Sequence, residues 1–235
     1  MHLAVEVAGL TLHMQRLDSQ DLRVEVWLVA LDQLLDSATE GGLSADERRR
    51  ADAFVKPIDA QRYRLAHGAL RERLASETGS SAQNLVFTTG VFGKPVLLHA
   101  PGVHFSISHS GPIGLIAISR HAAVGVDAEW PAPISEIEAL AQQVLAPDER
   151  RAWLALTPQE HQSAFLRAWT RKEACLKAWG VGLQLSPSQL EVGLHTQRQR
   201  IHAPPILRAQ PVELWSLSIA DNPGIQAAVA LGSAV

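Results

Sequence analysis

The sequence holds a single cysteine, Cys175, among 235 residues, so no disulfide can close within the chain and a reducing compartment is the simpler reading. A basic excess is also missing. Lys and Arg number 21 against 24 Asp and Glu, a formal charge of -3, whereas a general nucleic-acid binder carries a clear positive balance. No uninterrupted apolar run approaches the roughly 18 residues of a membrane span. Met1 to Gln15 lack a basic start followed by a long apolar stretch, so no signal peptide is expected and the expected location is the cytoplasm. There is no short repeat, no low-complexity segment and no G-x-S-x-G elbow of a serine hydrolase. What is present, 46% hydrophobic and 19% charged residues, suits a globular protein with a substantial core, in one large domain or two small ones.

Residues 1–22 read either as an extension or as a first strand. Arg23 to Leu31 is rich in β-branched and aromatic residues and reads as a strand. Ser44 is placed as the N-cap of a helix starting at Ala45, with Asp46 and Glu47 in its first turn. Lys56-Pro57 interrupts it, and a second helix is expected from Asp59 to about Glu77, before Gly79. Short strands follow at Leu85–Thr88, Pro95–Leu98, Val103–Ser108, Ile113–Ser119 and Val124–Glu129. Helices are expected near Ser135–Val144 and from Gln159 to Trp179, then strands at Leu190–Leu194, Val212–Ile219 and Ile225–Leu231. Runs of neighbouring strands, with helices in each half, point to an α+β fold rather than a βαβ repeat.

Asp127 and Glu129, at i and i+2, project from the same side of an apolar strand end. Two carboxylates there repel unless a cation lies between them, and oxygen ligands of this kind suit magnesium. Alone, the pair reads first as a solvated strand end. The helix from Phe165 to Trp179 carries an apolar stripe of Phe165, Trp169, Leu176 and Trp179. Lys172 falls in that stripe, so it either snorkels outward or has an anionic partner in a cleft. Glu173 and Lys177 lie one turn apart and read alone as an i,i+4 ion pair. In residues 103–111, His104, Ser106 and Ser108 share a strand face, ending at a Gly-Pro turn; phosphate binding and a polar strand end are equally open there. Lys94, between Gly93 and Pro95, is either aimed at an anion or an exposed turn residue. Cys175 reads as a packing residue.

Four segments, FGKP at 92–95, HFSISHSG at 104–111, GVDAE at 125–129 and WTRKEACLKAWGVGL at 169–183, have the order and spacing of a known family. The chain resembles the 4'-phosphopantetheinyl transferases, in particular the larger monomeric group typified by the surfactin synthetase activator (Sfp-like). The resemblance implies two similar α+β halves related by a pseudo-twofold, here 1–122 and 123–235, with the active site in the cleft between them. It implies that Mg2+ is held by Asp127, Glu129 and Glu173, and that Glu173, Lys177 and Asp127 are catalytic. Lys172 and Lys177 would contact phosphate oxygens, Ser108 and His109 the nucleotide's phosphates, and Lys94 the adenosine portion. Arg50 would bind the 3'-phosphate with help from Arg62; Glu47 stands where the family has a further phosphate-binding residue. The implied reaction is transfer of phosphopantetheine from coenzyme A to a serine of an apo carrier protein of fatty-acid, polyketide or nonribosomal-peptide synthesis, releasing 3',5'-ADP, that of a holo-[acyl-carrier-protein] synthase. No nucleic acid or membrane partner is implied, and a monomer suffices. Two competitors share some of these features: a magnesium-dependent nucleotide hydrolase, and a non-catalytic module that binds carriers.

Overall fold

The structure, a computed structural model, describes residues 2–7, 10–33, 42–90 and 92–233, with side chains from Met14 onward except that of Leu183. The fold is α+β, as expected. Five strands, β1 (His2–Val7), β2 (Leu10–Leu17), β3 (Glu25–Ala30), β6 (His104–Ser110) and β7 (Ile113–Ser119), form one antiparallel sheet in the order β1-β2-β3-β7-β6. A second antiparallel sheet has the order β8-β11-β10-β9, from β8 (Val124–Glu129), β9 (Gln199–Ile201), β10 (Val212–Leu217) and β11 (Gln226–Gly232). A small hairpin joins β4 (Phe87–Thr89) to β5 (Pro95–Leu97). Residues 1–22, left open between extension and first strand, supply two strands and the edge of the first sheet; Met1, Ala8 and Gly9 lie outside the described residues.

Strand alternation decides how the layers stack. Val26, Leu115 and Ala117 of the first sheet share a core with Val124, Val126, Ala128 and Val229 of the second, so the two sheets face each other. The opposite face of the first sheet, through Trp27, Val29, Ile116 and Ile118, packs on Leu65, Ala69, Leu70 and Leu74 of α2 (Pro57–Thr78). That of the second, through Leu214, Ala228 and Ala230, packs on Ala174, Cys175 and Ala178 of α5 (Pro158–Trp179). The order of layers is therefore helix, sheet, sheet, helix. No helix among the described residues is long and apolar enough to cross a membrane.

Local signals fix the helix ends. Ser44 caps α1 (Ala45–Asp52) as anticipated: its hydroxyl takes the Glu47 N–H while the Glu47 carboxylate returns to the Ser44 N–H. Pro57 opens α2 at its first turn, where a missing N–H costs nothing. At the start of α5 the Glu160 carboxylate accepts both the N–H and the hydroxyl of Thr157, and the helix ends on Gly180 at φ 71°. Two short helices, α3 (Ile137–Val144) and α4 (Pro147–Leu154), lie between β8 and α5. The second was not anticipated. The run Leu190–Leu194, expected as a strand, belongs to no sheet.

Glu47, the residue out of pattern for phosphate binding, has a structural occupation. Its carboxylate receives Arg71 Nε at 2.6 Å and lies 3.5 Å from His67 Nδ1. Burial works against its charge, but hydrogen bonds from His67, Ser44 and Arg71 outweigh it and hold the carboxyl down at about 2. A depressed carboxyl pKa adds stability that is complete above its ordinary value of 4.5 and is lost as pH falls through about 2. Glu47→Gln should therefore cost on the order of 3 kcal/mol at pH 7. In urea unfolding, the gap to the wild type should close between about pH 5 and pH 2; a gap constant with pH would refute this role.

Candidate active site

β6 ends the first sheet and β8 ends the second, and no backbone ladder joins them. Buried main-chain polar groups along the edge of β8 must nevertheless find partners, and side chains supply them. Ser106, Ser108 and Ser110, alternate residues on one face of β6, accept the N–H groups of Val126, Ala128 and Trp130 at 3.1, 3.4 and 3.1 Å. Two of these hydroxyls in turn donate a hydrogen bond to a carboxylate: Ser108 to Asp127 Oδ1 and Ser110 to Glu129 Oε2, each at 2.7 Å. Along the same edge, Lys94 Nζ donates to Val124 O at 2.8 Å and Lys177 Nζ to Val126 O at 3.2 Å.

The other half of the site comes from α5. Gly125, Asp127 and Glu129 occupy the face of β8 opposite to Val124, Val126 and Ala128, and Gly125 has no side chain to hold the helix away. A Cβ there would overlap Ala174 O and lie 2.5 Å from Ala178 N. Its cross-strand partner is Ala230, so helix and sheet meet over two small residues. This close approach brings Glu173 and Lys177 down beside Asp127. Lys177 Nζ lies 2.7 Å from Asp127 Oδ1 and also donates to Ile107 O at 3.4 Å. Glu129 Oε1 accepts Trp169 Nε1 at 3.0 Å.

Burial raises the carboxyl pKa of Glu173, and the charge of Asp127 adds to it; Lys177 pulls the other way. Burial raises Glu129 as well, with Ser110 and Trp169 opposing. Asp127, only 4% exposed, keeps its second oxygen, Oδ2, buried without a hydrogen-bond partner, and so does Glu173 with Oε1. Beside Glu129 opens an apolar groove of about 690 Å³, walled by Trp130, Ile134, Leu140, Phe165 and Trp169. A smaller cavity of about 290 Å³ lies between Phe92, Lys94, Phe105, Lys177 and Gly180.

The sequence can now be set beside known proteins. Residues 123–230, which contain β8 and α5, match the 4'-phosphopantetheinyl transferase superfamily. The 4'-phosphopantetheinyl transferase HetI of Nostoc sp. (strain PCC 7120) is 35% identical over 167 residues, 68% of this chain and 70% of that protein. Psf-1 of Bacillus pumilus is 30% identical over 192 residues, 80% of this chain and 78% of its own. Sfp of Bacillus subtilis is 30% identical over 157 residues, 67% and 69% of the two chains. All three carry the name 4'-phosphopantetheinyl transferase. The chain belongs to the 4'-phosphopantetheinyl transferase superfamily.

Within this superfamily member, the residues expected from the sequence divide into three sets. Asp127, Glu129, Glu173 and Lys177 share one neighbourhood. His109 is exposed and feels the charges of His67, Lys177, Asp59 and Arg62; desolvation and then the cations among these push its pKa down. The charge of Arg50 acts on Tyr63, whose ring stacks on His67 at 4.0 Å, so cationic and aromatic groups run from α1 towards His109.

The second set is engaged within the protein. Lys172 does not face a ligand: it is fully buried, with Nζ 2.6 Å from Glu149 Oε2 and further bonds to Pro187 O and Leu190 O. Its anionic partner is the protein's own, on α4. Ser108 turns its hydroxyl to Asp127. Arg62 is held by Asp32 through two bonds of 2.7 and 3.0 Å. Lys94 spends two of its three protons on Val124 O and Lys177 O.

The third set is the metal triad. Among the described residues, no three His, Cys, Asp or Glu side chains gather closely enough to hold a metal ion, because Glu129 is turned to Ser110 and Trp169. The two unpartnered oxygens, on Asp127 and Glu173, nevertheless fit a hard cation: each is a buried anionic donor with nothing to bind.

The sequence gives Trp169 a place in the apolar stripe but none in the site, and singles out neither Ser110 nor Glu149. For Ser110 the signal was available, since alternate serines on one strand face imply a partner edge; Glu149 lies on a helix that was not read. If Lys172 is structural, Lys172→Met should lower stability by about 3 kcal/mol in urea unfolding while KM for coenzyme A stays within about twofold of wild type. A large rise in KM at unchanged stability would restore the phosphate role.

Proposed function

We propose that this chain transfers the 4'-phosphopantetheine group of coenzyme A to a serine of an apo carrier protein, with Mg2+, releasing 3',5'-ADP. The observation that carries the reading is the pair of unpartnered buried oxygens, Asp127 Oδ2 and Glu173 Oε1, beside the Lys177 ammonium. Residues 1–122 and 123–235 form two halves, each with an antiparallel sheet and a 22-residue helix, related by a pseudo-twofold. The cleft between them takes coenzyme A. One chain supplies both halves, so a monomer suffices, and the cytoplasm supplies coenzyme A and carriers.

Asp127 and Glu173 would hold the metal ion through their unpartnered oxygens, and Glu129, engaged by Ser110 and Trp169, would join them by giving up one of those bonds. When bound, Mg2+ neutralises charge on the pyrophosphate, the chief requirement of phosphoryl transfer. The carrier serine hydroxyl gives its proton to Glu173 as its oxygen bonds to the β-phosphorus of coenzyme A. A carboxyl with a raised pKa suits a base better than an ordinary one. The bond from that phosphorus to the bridging oxygen breaks, and the electron pair leaves with 3',5'-ADP. Lys177 donates a hydrogen bond or proton to this leaving group, exchanging one of its main-chain acceptors for it. Arg50 and His109 face the nucleotide's phosphates.

The test is mass spectrometry of several apo-carriers incubated with the protein, coenzyme A and magnesium. A phosphopantetheine mass shift on at least one, abolished by chelator, is the expected result. Coenzyme A hydrolysis without an acceptor, and no carrier modified, would replace this reading with a hydrolase.

A further inference from the structure

Resting on the function just proposed, we propose that Lys94 is a positioning residue: its ammonium fixes the main chain from which Lys177 reaches Asp127. Lys94 stands in the turn before β5, within 1–122, yet its Nζ donates at 2.8 Å to Val124 O on β8 and at 2.7 Å to Lys177 O in the last turn of α5. One side chain thus ties three elements together. The carbonyls at a helix C-terminus lack internal partners and favour a cation, so this end of α5 is a fitting place for an ammonium.

Three further observations agree. The stem of Lys94 lies over Gly180, where an added Cβ would stand 3.3 and 3.4 Å from Lys94 Cδ and Cβ; the clamp includes packing as well as charge. Lys177 Nζ takes the next outward carbonyl of the same strand, Val126 O, so the two lysines occupy consecutive steps of one edge. Burial, and then the charge of Lys177, push the Lys94 pKa down to about 8, which marks an ammonium held in the protein rather than one reaching for solvent. A nucleotide ligand would find only one of its protons unengaged.

Steady-state kinetics of Lys94→Met, which keeps the stem and removes the charge, separates the roles. We expect kcat to fall about 10-fold or more with KM for coenzyme A within about threefold. Hydrogen exchange should accelerate at Gly180 and Val181, whose amides bond to Lys177 O and Leu176 O. Lys94→Arg, whose guanidinium can donate to both carbonyls, should recover most of the lost kcat. A raised KM at unchanged kcat would make Lys94 a nucleotide ligand and overturn the proposal; so would a lower melting temperature with both constants unchanged. Should Lys94→Met be insoluble, Lys94→Gln replaces it, with an intermediate kcat expected and a wild-type kcat overturning. A wild type without transferase activity refutes the proposed function separately; the clamp is still decided by hydrogen exchange, and unchanged exchange overturns it.

Discussion

Glu173→Gln is expected to slow phosphopantetheine transfer by at least about 100-fold without lowering the melting temperature. The glutamine is nearly isosteric, so packing around α5 is preserved. Its amide cannot accept the serine proton and is a weaker ligand for a cation. The stability half of the prediction follows from the sign of the pKa shift. Burial and Asp127 raise the Glu173 carboxyl above its ordinary 4.5, so at pH 7 the folded protein carries a charge it disfavours relative to the unfolded chain. Removing that charge relieves repulsion with Asp127 and Glu129. A variant that is equally stable and keeps full turnover on its carrier removes Glu173 from the chemistry. One that is inactive only because it unfolds leaves the sign argument wrong.

Gly125→Ala should be the most damaging added methyl among the described glycines, with a loss above about 3 kcal/mol and little soluble protein. Its Cβ would meet main-chain atoms of Ala174 and Ala178, and backbone cannot rotate aside as a side chain can. The helix would have to lift from β8, taking Glu173 and Lys177 away from Asp127. Even where the variant folds, for instance at low temperature, transfer should therefore fall further than stability does. Circular dichroism melts with activity measured well below the transition distinguish these effects. A folded, fully active Gly125→Ala protein would show that the close approach is dispensable.

Much of this was legible in advance. GVDAE read as a strand because its apolar residues alternate, and the same alternation put Asp127 and Glu129 on one side. The long helix is visible from its stripe, and Lys172 stands out in it as a residue that either snorkels outward or has an anionic partner. What stayed hidden was where partners lie when they are far apart in sequence. Glu149 answers Lys172 from a two-turn helix that opens on Ala146-Pro147, too short for a periodic signal. Leu190–Leu194 looks like a strand because it is apolar, yet its backbone is met by side chains. Lys172 takes Leu190 O, Arg171 takes Val192 O at 3.2 Å, and Glu149 receives the Val192 and Gly193 amides at 2.7 and 3.0 Å. Local sequence cannot distinguish a ladder from such substitutes. Ser108 illustrates the same limit, since a hydroxyl on a polar strand face serves a phosphate or a neighbouring carboxylate equally well until the neighbour is known.

The serine seam between β6 and β8 also bears on how the protein is made and broken. Strand β6 leaves the ribosome before β8, and α5 emerges later still, so Asp127 and Glu129 have the serines of β6 at hand before their donors on α5, Lys177 and Trp169, have been synthesised. No partial product holds a finished site. A proteolytic nick followed by separation at the 120–123 connection would expose the core that the two sheets share and leave neither piece with its chemistry. Activity is then a report on the whole chain's assembly, and loss of activity should precede loss of secondary structure whenever the two edges part.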